Sequence, residues 1–284
     1  MNVYQVSTYI GPDAFTLFQK RGYHIHGRLF SPEEIDALTA ACEGVCHGNY
    51  ETGRPPDRIY WRPGMEATAI RKIDNCWKAN ETIFKAVTSE RLGHVAAQLL
   101  GAPSIRLWHD QLSYKPGNGG KVITWHQDWM YWQMISEPKT ITCWIALDDV
   151  EPESGPMVYL EGSHKLGLQP KPSGISGDDP QKPAMPDGSA LKEVPILIQS
   201  GQVVFHHGLM LHGSHKNWSL KARRAMVSHV MSDECTYRHV GRHICEKMMK
   251  TYSEHPCPGE SFRGPQFPQM WPVSIGDCRM RIAG

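Results

Sequence analysis

The period of the hydrophobic pattern changes near residue 102. Upstream, Ile35, Leu38, Ala41, Cys42 and Val45 recur at helical spacing, so one face of a helix packs inward. Ser31-Pro32-Glu33-Glu34 opens that helix, with Ser31 as N-cap, Pro32 in the first turn and Glu34 at the capping-box position. Gly48 is its expected stop. A second helix is predicted from Ser89 to Leu100, apolar at Leu92, Val95, Ala96, Leu99 and Leu100 and closed by Gly101. Asp13 to Lys20 reads as a short helix leading into a strand at Tyr23 to His26. Residues 51–66, rich in Pro, Gly and Arg, read as a loop with Tyr60 and Trp61 as candidate pocket residues.

Downstream the period becomes two, the signature of strands. In Ser104 to Tyr114, Ile105, Leu107, Gln111 and Ser113 fall on one face and Trp108, Leu112 and Tyr114 on the other. Thr140 to Leu147 places Thr142 and Trp144 together. Further short strands are predicted at Val194–Ile198, Gln202–Phe205, Met210–His212 and Ala225–Met231, separated by turn signals such as Ser154-Gly155-Pro156 and Ser200-Gly201. Many short strands with Gly and Pro turns imply a sandwich or barrel. The expected fold is α+β but mainly β: a double-stranded β-helix (jelly roll, cupin-like) core with flanking N-terminal helices. One domain over 1–284 is expected: a helical part to about 102, a core over about 103–232, and an extension over 233–284. Residues 166–193, rich in Pro, Gly, Asp and Lys, read as an insertion at the mouth of a site, acting as a lid.

Composition narrows the function. A net charge of +1 without long runs of one sign argues against a nucleic-acid or membrane-surface partner. No apolar run approaches membrane-spanning length. Eight cysteines are scattered without a Cys-x-x-Cys, and the N-terminus lacks a secretory pattern. Free thiols in the cytoplasm are the expectation. Cys42 and Cys46, four apart on the predicted helix, read as buried small residues. The C-terminal Arg-Ile-Ala-Gly is not a peroxisomal address. No feature fixes an oligomeric state.

The candidate chemistry starts at Trp125-His126-Gln127-Asp128-Trp129-Met130-Tyr131-Trp132. On a strand, His126 and Asp128 project from the same face and supply two-thirds of a 2-His-1-carboxylate centre, the arrangement of non-haem Fe(II) oxygenases. Among fifteen histidines a chance His-x-Asp is common, so the motif needs a third ligand. His206, His207 and His212 are candidates, and His212 ends an apolar run before Gly213-Ser214, where a small residue permits close backbone approach. Arg223 follows eleven residues later; a hairpin would return it beside His212. Arg224 alternates to the opposite face and reads as a surface residue, and His215 as solvent-facing.

Taken together, His126-x-Asp128, His212 and Arg223 resemble the phytanoyl-CoA dioxygenase family of Fe(II)/2-oxoglutarate oxygenases. His109 to Pro116 resembles the family strand preceding the metal loop, and Trp144 falls at the family's Trp position. Glu153-Ser154-Gly155 and Leu160-Glu161-Gly162-Ser163-His164 resemble two family turns, with Ser154 in place of Asn and Glu161 in place of Pro. The resemblance spans roughly residues 14 to 232. It implies His126, Asp128 and His212 as metal ligands, and Lys72, Gln111, Trp144, Ser214 and Arg223 around 2-oxoglutarate. Gln111 stands where some relatives carry Met. Arg223 would grip the far carboxylate, a role suited to a planar guanidinium. The implied reaction uses Fe(II), 2-oxoglutarate and O2 to oxidise, most simply hydroxylate, an unactivated C–H bond, releasing succinate and CO2. Related halogenases replace the Asp by a small residue, so Asp128 favours hydroxylation. A non-catalytic metal-binding jelly roll would not need the Arg223 anchor, and a zinc hydrolase would need a general base like that of His-Glu-x-x-His. Trp61, Trp77, Trp129, Tyr131 and Trp132 are candidate walls of a substrate pocket. No Lys/Arg cluster suited to an acyl-CoA's phosphates is apparent, so a small metabolite or natural product is the expected substrate.

Overall fold

The computed structural model describes residues 6–62, 64–170, 175–176, 179–180, 188, 190–240, 249 and 256–272. Helices α1 (Ala14–Arg21), α2 (Pro32–Cys46), α3 (Glu81–Val87) and α4 (Glu90–Leu100) alternate with the first strands, β1 (Tyr23–Arg28), β2 (Arg58–Ile59) and β3 (Arg71–Asp74). Then come β4 (Ile105–Lys115), β5 (Ile123–His126), β6 (Thr140–Ala146) and β7 (Met157–Leu160). The remaining strands are β8 (Ile175–Ser176), β9 (Asp179–Pro180), β10 (Glu193–Pro195), β11 (Gln202–His207), β12 (His212–Ser214), β13 (Arg223–Ser232) and β14 (Gln269–Trp271).

The α2 entry follows the sequence: Ser31 Oγ accepts from Glu34 N, and Glu34 accepts from Ser31 N, a reciprocal cap contributing about 1 kcal/mol. Gly101 closes α4 in the left-handed region at φ 64°. Helix α3 went unrecognised in the sequence because seven residues show too few turns for a periodic signal.

Two sheets face each other. The larger runs β1-β11-β6-β13-β4-β3-β2, with β14 also pairing β4, and the smaller runs β10-β7-β12-β5. This is the jelly-roll arrangement expected. Helices cover the outer face of the large sheet, where Phe18, Leu38 and Leu99 pack with Leu107, Cys143 and Phe205. Between the sheets Trp144, Ala225 and Val227 meet Tyr159 and Met210. A third cluster ties the C-terminal segment to the core through Phe262 and Phe267, which pack on Trp108.

The faces of β4 differ from the simple alternation. His229 pairs with His109 but Val230 pairs with Leu107, so Trp108 is the extra residue of a β-bulge. Upstream of the bulge Ile105 and Leu107 therefore join Leu112 in the helix-facing core, while His109, Gln111 and Ser113 face the interior cavity. One inserted residue reverses the parity, which period-two counting cannot detect.

Other boundaries moved. The predicted strand at 210–212 begins only at His212, and the last three residues of 194–198 lie beyond β10. Half of the residues 166–193, read as a lid, fall outside the described residues; the short β8–β9 pair in that segment lies with β9 against β5 and β12. Among the described residues no helix is long and apolar enough to cross a membrane.

Candidate active site and metal centre

His126 ends β5 and His212 begins β12, and these strands pair so that the two histidines are direct cross-strand neighbours. Their ring centroids stand 4.2 Å apart. Asp128 is not on the strand: it opens a short 3-10 turn, Asp128–Tyr131, one extended residue beyond His126. The i, i+2 relation still directs both side chains to one side, because Gln127 keeps strand dihedrals. Ligand atoms of His126, Asp128 and His212 all lie within 4.8 Å of one another, and these residues form the candidate metal group found among the described residues. Gly213 permits this geometry: a Cβ there would meet the Ile123 carbonyl oxygen at 2.9 Å.

Hydrogen bonds orient each group. The carbonyl of Thr124 lies 2.8 Å from His126 Nδ1, and that of Met210 lies 3.0 Å from His212 Nδ1. Carbonyl oxygens only accept, so both rings donate from Nδ1 and present the Nε2 lone pair to the centre. Burial first, and neighbouring charge second, pushes both histidines below the usual imidazole range, with the Asp128 carboxylate pulling the other way. Each Nε2 stands 3.7 Å from Asp128 Oδ1.

The other carboxylate oxygen is fully engaged. Thr142 Oγ1 donates to Asp128 Oδ2 at 2.6 Å, and His206 Nε2 donates to the same atom at 3.0 Å. Thr142 in turn accepts from His229 Nδ1 at 3.0 Å, and His206 Nδ1 meets the Tyr159 hydroxyl at 2.8 Å. Burial alone would raise the Asp128 pKa; His212, and then the His206 hydrogen bond, hold it well below the carboxylate range. Oδ1 is thus left facing two imidazole lone pairs, a donor set suited to a divalent first-row ion.

Of the candidate third ligands, only His212 joins the group. His206 supports Asp128 instead, and His207 accepts from the Leu209 amide at 3.1 Å. Arg223 is not returned by a hairpin: β12 belongs to the small sheet and β13 to the large one, so Arg223 reaches the cavity from the opposite sheet. It is 1% exposed; its Nη1 donates to the Gly155 carbonyl at 3.1 Å, and its Nε has no hydrogen-bond partner. Its guanidinium carbon stands 5.3 Å from the Trp144 ring centroid. Burial presses the guanidinium down to about 10, with distant Asp148 opposing. A buried cation with an unused donor beside the histidine-carboxylate cluster fits an incoming carboxylate.

Lys72, Gln111, Trp144 and Ser214 all line the same cavity, of about 310 Å³. Gln111 Nε2 is committed to Asp74 Oδ1 at 2.7 Å. Tyr60, Tyr131 and Trp132 line the cavity, whereas Trp61 stacks on Arg71, Trp77 packs on Phe84, and Trp129 sits in the core. Arg224 is not a simple surface residue; it is half-buried and pairs with both Asp148 and Glu43. His215 is likewise half-buried. Arg58, Asp74, His109 and His229 also line the cavity without having been singled out in the sequence, and His206, a candidate third ligand, enters it as a support for Asp128.

The phytanoyl-CoA dioxygenase (PhyH) family model matches residues 18–225. Ectoine dioxygenase of Stutzerimonas stutzeri (strain A1501) is 27% identical over 226 residues, covering 72% of each chain. Peroxisomal phytanoyl-CoA dioxygenase of Mus musculus is 24% identical over 266 residues, 83% of this chain and 75% of that one. Among solved structures, the non-haem α-ketoglutarate-dependent carbocyclase SnoK from nogalamycin biosynthesis shares the fold with a TM-score of 0.69 at 24% identity, covering 93% of this chain and 98% of that one. With three quarters of its length inside the family pattern, the chain belongs to the phytanoyl-CoA dioxygenase family and is a non-haem Fe(II)/2-oxoglutarate-dependent dioxygenase.

Proposed function

We propose that His126, Asp128 and His212 hold the Fe(II), with Asp128 binding through Oδ1 alone, and that Arg223 and Ser214 receive the far carboxylate of 2-oxoglutarate. The observation that carries this reading is the division of labour on Asp128, whose Oδ2 takes two donated hydrogen bonds while Oδ1 faces both Nε2 atoms. When bound, iron would supply the oxidation of 2-oxoglutarate by O2 to succinate and CO2, coupled to oxidation, most simply hydroxylation, of a substrate C–H bond, with one oxygen atom going to each product. The chain's residues do the rest. Trp144 forms an apolar floor against Arg223, and Lys72 adds positive potential from β3. Gln111 shapes the wall by holding Asp74.

The cavity wall includes Asp74, Arg58, Tyr60 and His109 together with the aromatic Tyr131 and Trp132. A volume of about 310 Å³ shared with 2-oxoglutarate suits a small polar metabolite better than the body of an acyl-CoA. The small-molecule substrate named by the ectoine dioxygenase relatives is consistent with that size. We infer that the chain works as one catalytic unit, since helices and strands share a continuous core. A reducing, cytoplasmic setting is supported by the free thiols at Cys42, Cys46, Cys76, Cys143, Cys235 and Cys257.

Anaerobic addition of Fe(II) and then 2-oxoglutarate should produce a weak visible charge-transfer band that needs both components. Its absence in folded, metal-loaded protein would overturn the cosubstrate assignment. With the band in hand, succinate release reports on substrates, and ectoine and an acyl-CoA bracket the size expectation. Thr142→Val removes one of the two donors on Asp128 Oδ2 at nearly constant volume. It should weaken Fe(II) binding by roughly 10- to 100-fold, the usual cost of losing a group that orients a ligand. Metal titration followed by tryptophan fluorescence checks this, and unchanged affinity would remove Thr142 from the site.

A further inference from the structure

Lys115 is fully buried at the end of β4, directly opposite Arg223 of β13. Its Nζ donates to Ser214 Oγ at 2.7 Å and to the His215 carbonyl. Neither Lys115 nor Arg223 has a carboxylate within ion-pair distance among the described residues, so two buried basic groups stand side by side without a counter-anion. The turn at Gly155 serves both. Its carbonyl accepts from Arg223, and a Cβ on it would meet Lys115 Cδ at 3.0 Å, so the lysine stem runs against the glycine face. Burial first, then the charges of Arg223 and Lys72, presses the Lys115 amine down to about 5, with no acidic group offsetting them. Such an arrangement is costly unless an anion completes it.

We propose that Lys115 is a positioning residue for the cosubstrate: by donating to Ser214 Oγ it occupies the hydroxyl's acceptor side and aims the Ser214 proton at the carboxylate gripped by Arg223. The inference rests on the Arg223–Ser214 reading above. Lys115 itself does not line the cavity, whereas Ser214 and Arg223 do. Its contribution therefore passes through a hydroxyl whose only proton is free to donate, because the lysine donor holds the oxygen from behind. A neutral hydroxyl oriented in this way adds a directional hydrogen bond to the two-pronged guanidinium contact.

The test is Lys115→Met, which keeps the apolar stem against the Gly155 turn and removes the donor. The KM for 2-oxoglutarate should rise about tenfold, the scale of one hydrogen bond to a charged group, with kcat at saturation changed less than about twofold. Affinity for 2-oxobutyrate, which lacks the far carboxylate, should not change, and neither should Fe(II) affinity. In a Ser214→Ala background the same substitution should add less than about twofold, because the route through the hydroxyl is already cut. An unchanged KM in folded Lys115→Met, an equal loss for 2-oxobutyrate, or a full effect in the Ser214→Ala background each overturns the proposal. If Lys115→Met does not fold, Lys115→Leu takes its place with the same readouts, and a Ser214→Ala variant that leaves the KM for 2-oxoglutarate unchanged overturns the proposal by itself. Arg223→Met separates the two readings, since an unaltered KM there sinks the anchor itself, whereas a raised KM with an inert Lys115 sinks only this inference.

Discussion

Asp128→Ala is expected to abolish turnover and to reduce Fe(II) affinity by more than about a hundredfold, exceeding the loss typical of a merely supporting group. Asp128 is the one anionic member of the cluster, and both imidazoles are held neutral by burial. Without it, two neutral nitrogens remain to compete with water for a divalent ion. The fold should survive, at a cost. The Thr142 hydroxyl and His206 Nε2 both lose their acceptor, and each buried donor left unpaired costs about 1–3 kcal/mol unless water enters the space. Asp128→Glu tests the geometry separately. Its extra methylene displaces the carboxylate from Thr142 and His206, so most activity should also be lost. Metal titration, succinate release and circular dichroism on the same preparations distinguish a lost ligand from a lost fold. Near-normal turnover in folded Asp128→Ala would refute the assignment.

Arg223→Met is expected to raise the KM for 2-oxoglutarate by roughly a hundredfold, from about 3 kcal/mol for a lost two-pronged contact to a carboxylate, while iron affinity stays unchanged. The same variant should be no less stable than the parent. Arg223 is buried with an unpaired Nε and one carbonyl contact, and such a cation costs desolvation that its interactions do not recover. Replacing it with an apolar chain of similar length removes that cost, so the melting temperature should hold or rise. Opposite signs for stability and cosubstrate binding are what a functional rather than structural arginine would give. A fall in stability with unchanged KM would return Arg223 to the scaffold.

Two members of the candidate metal group were legible from the chain because they are local. His126 and Asp128 are two residues apart and Gln127 is extended, so one parity rule places both, even though Asp128 belongs to a turn. Ser31 and Glu34 were equally readable, since a capping box is written within four residues. The residues that tune the cluster were not legible. Thr142, His206 and His229 come from three different strands and converge on one carboxylate oxygen only when two sheets close on each other.

Sequence alone therefore indicated the candidate ligand types, a helix-rich part ahead of a strand-rich core, and a candidate cationic anchor, because these depend on short-range spacing and residue chemistry. Tertiary structure decided which histidine joins the candidate metal group and which supports Asp128. It also sent Arg223 across from the opposite sheet rather than around a hairpin. The bulge at Trp108 turned His109 and Gln111 toward the cavity while Leu107 went to the helices, a choice made by pairing with β13 and invisible in β4 by itself. Lys115 shows the same limit most plainly. Nothing next to it in the chain reveals that its amine is buried against Ser214, because burial is set by sheet closure, a non-local consequence of the whole hydrophobic pattern.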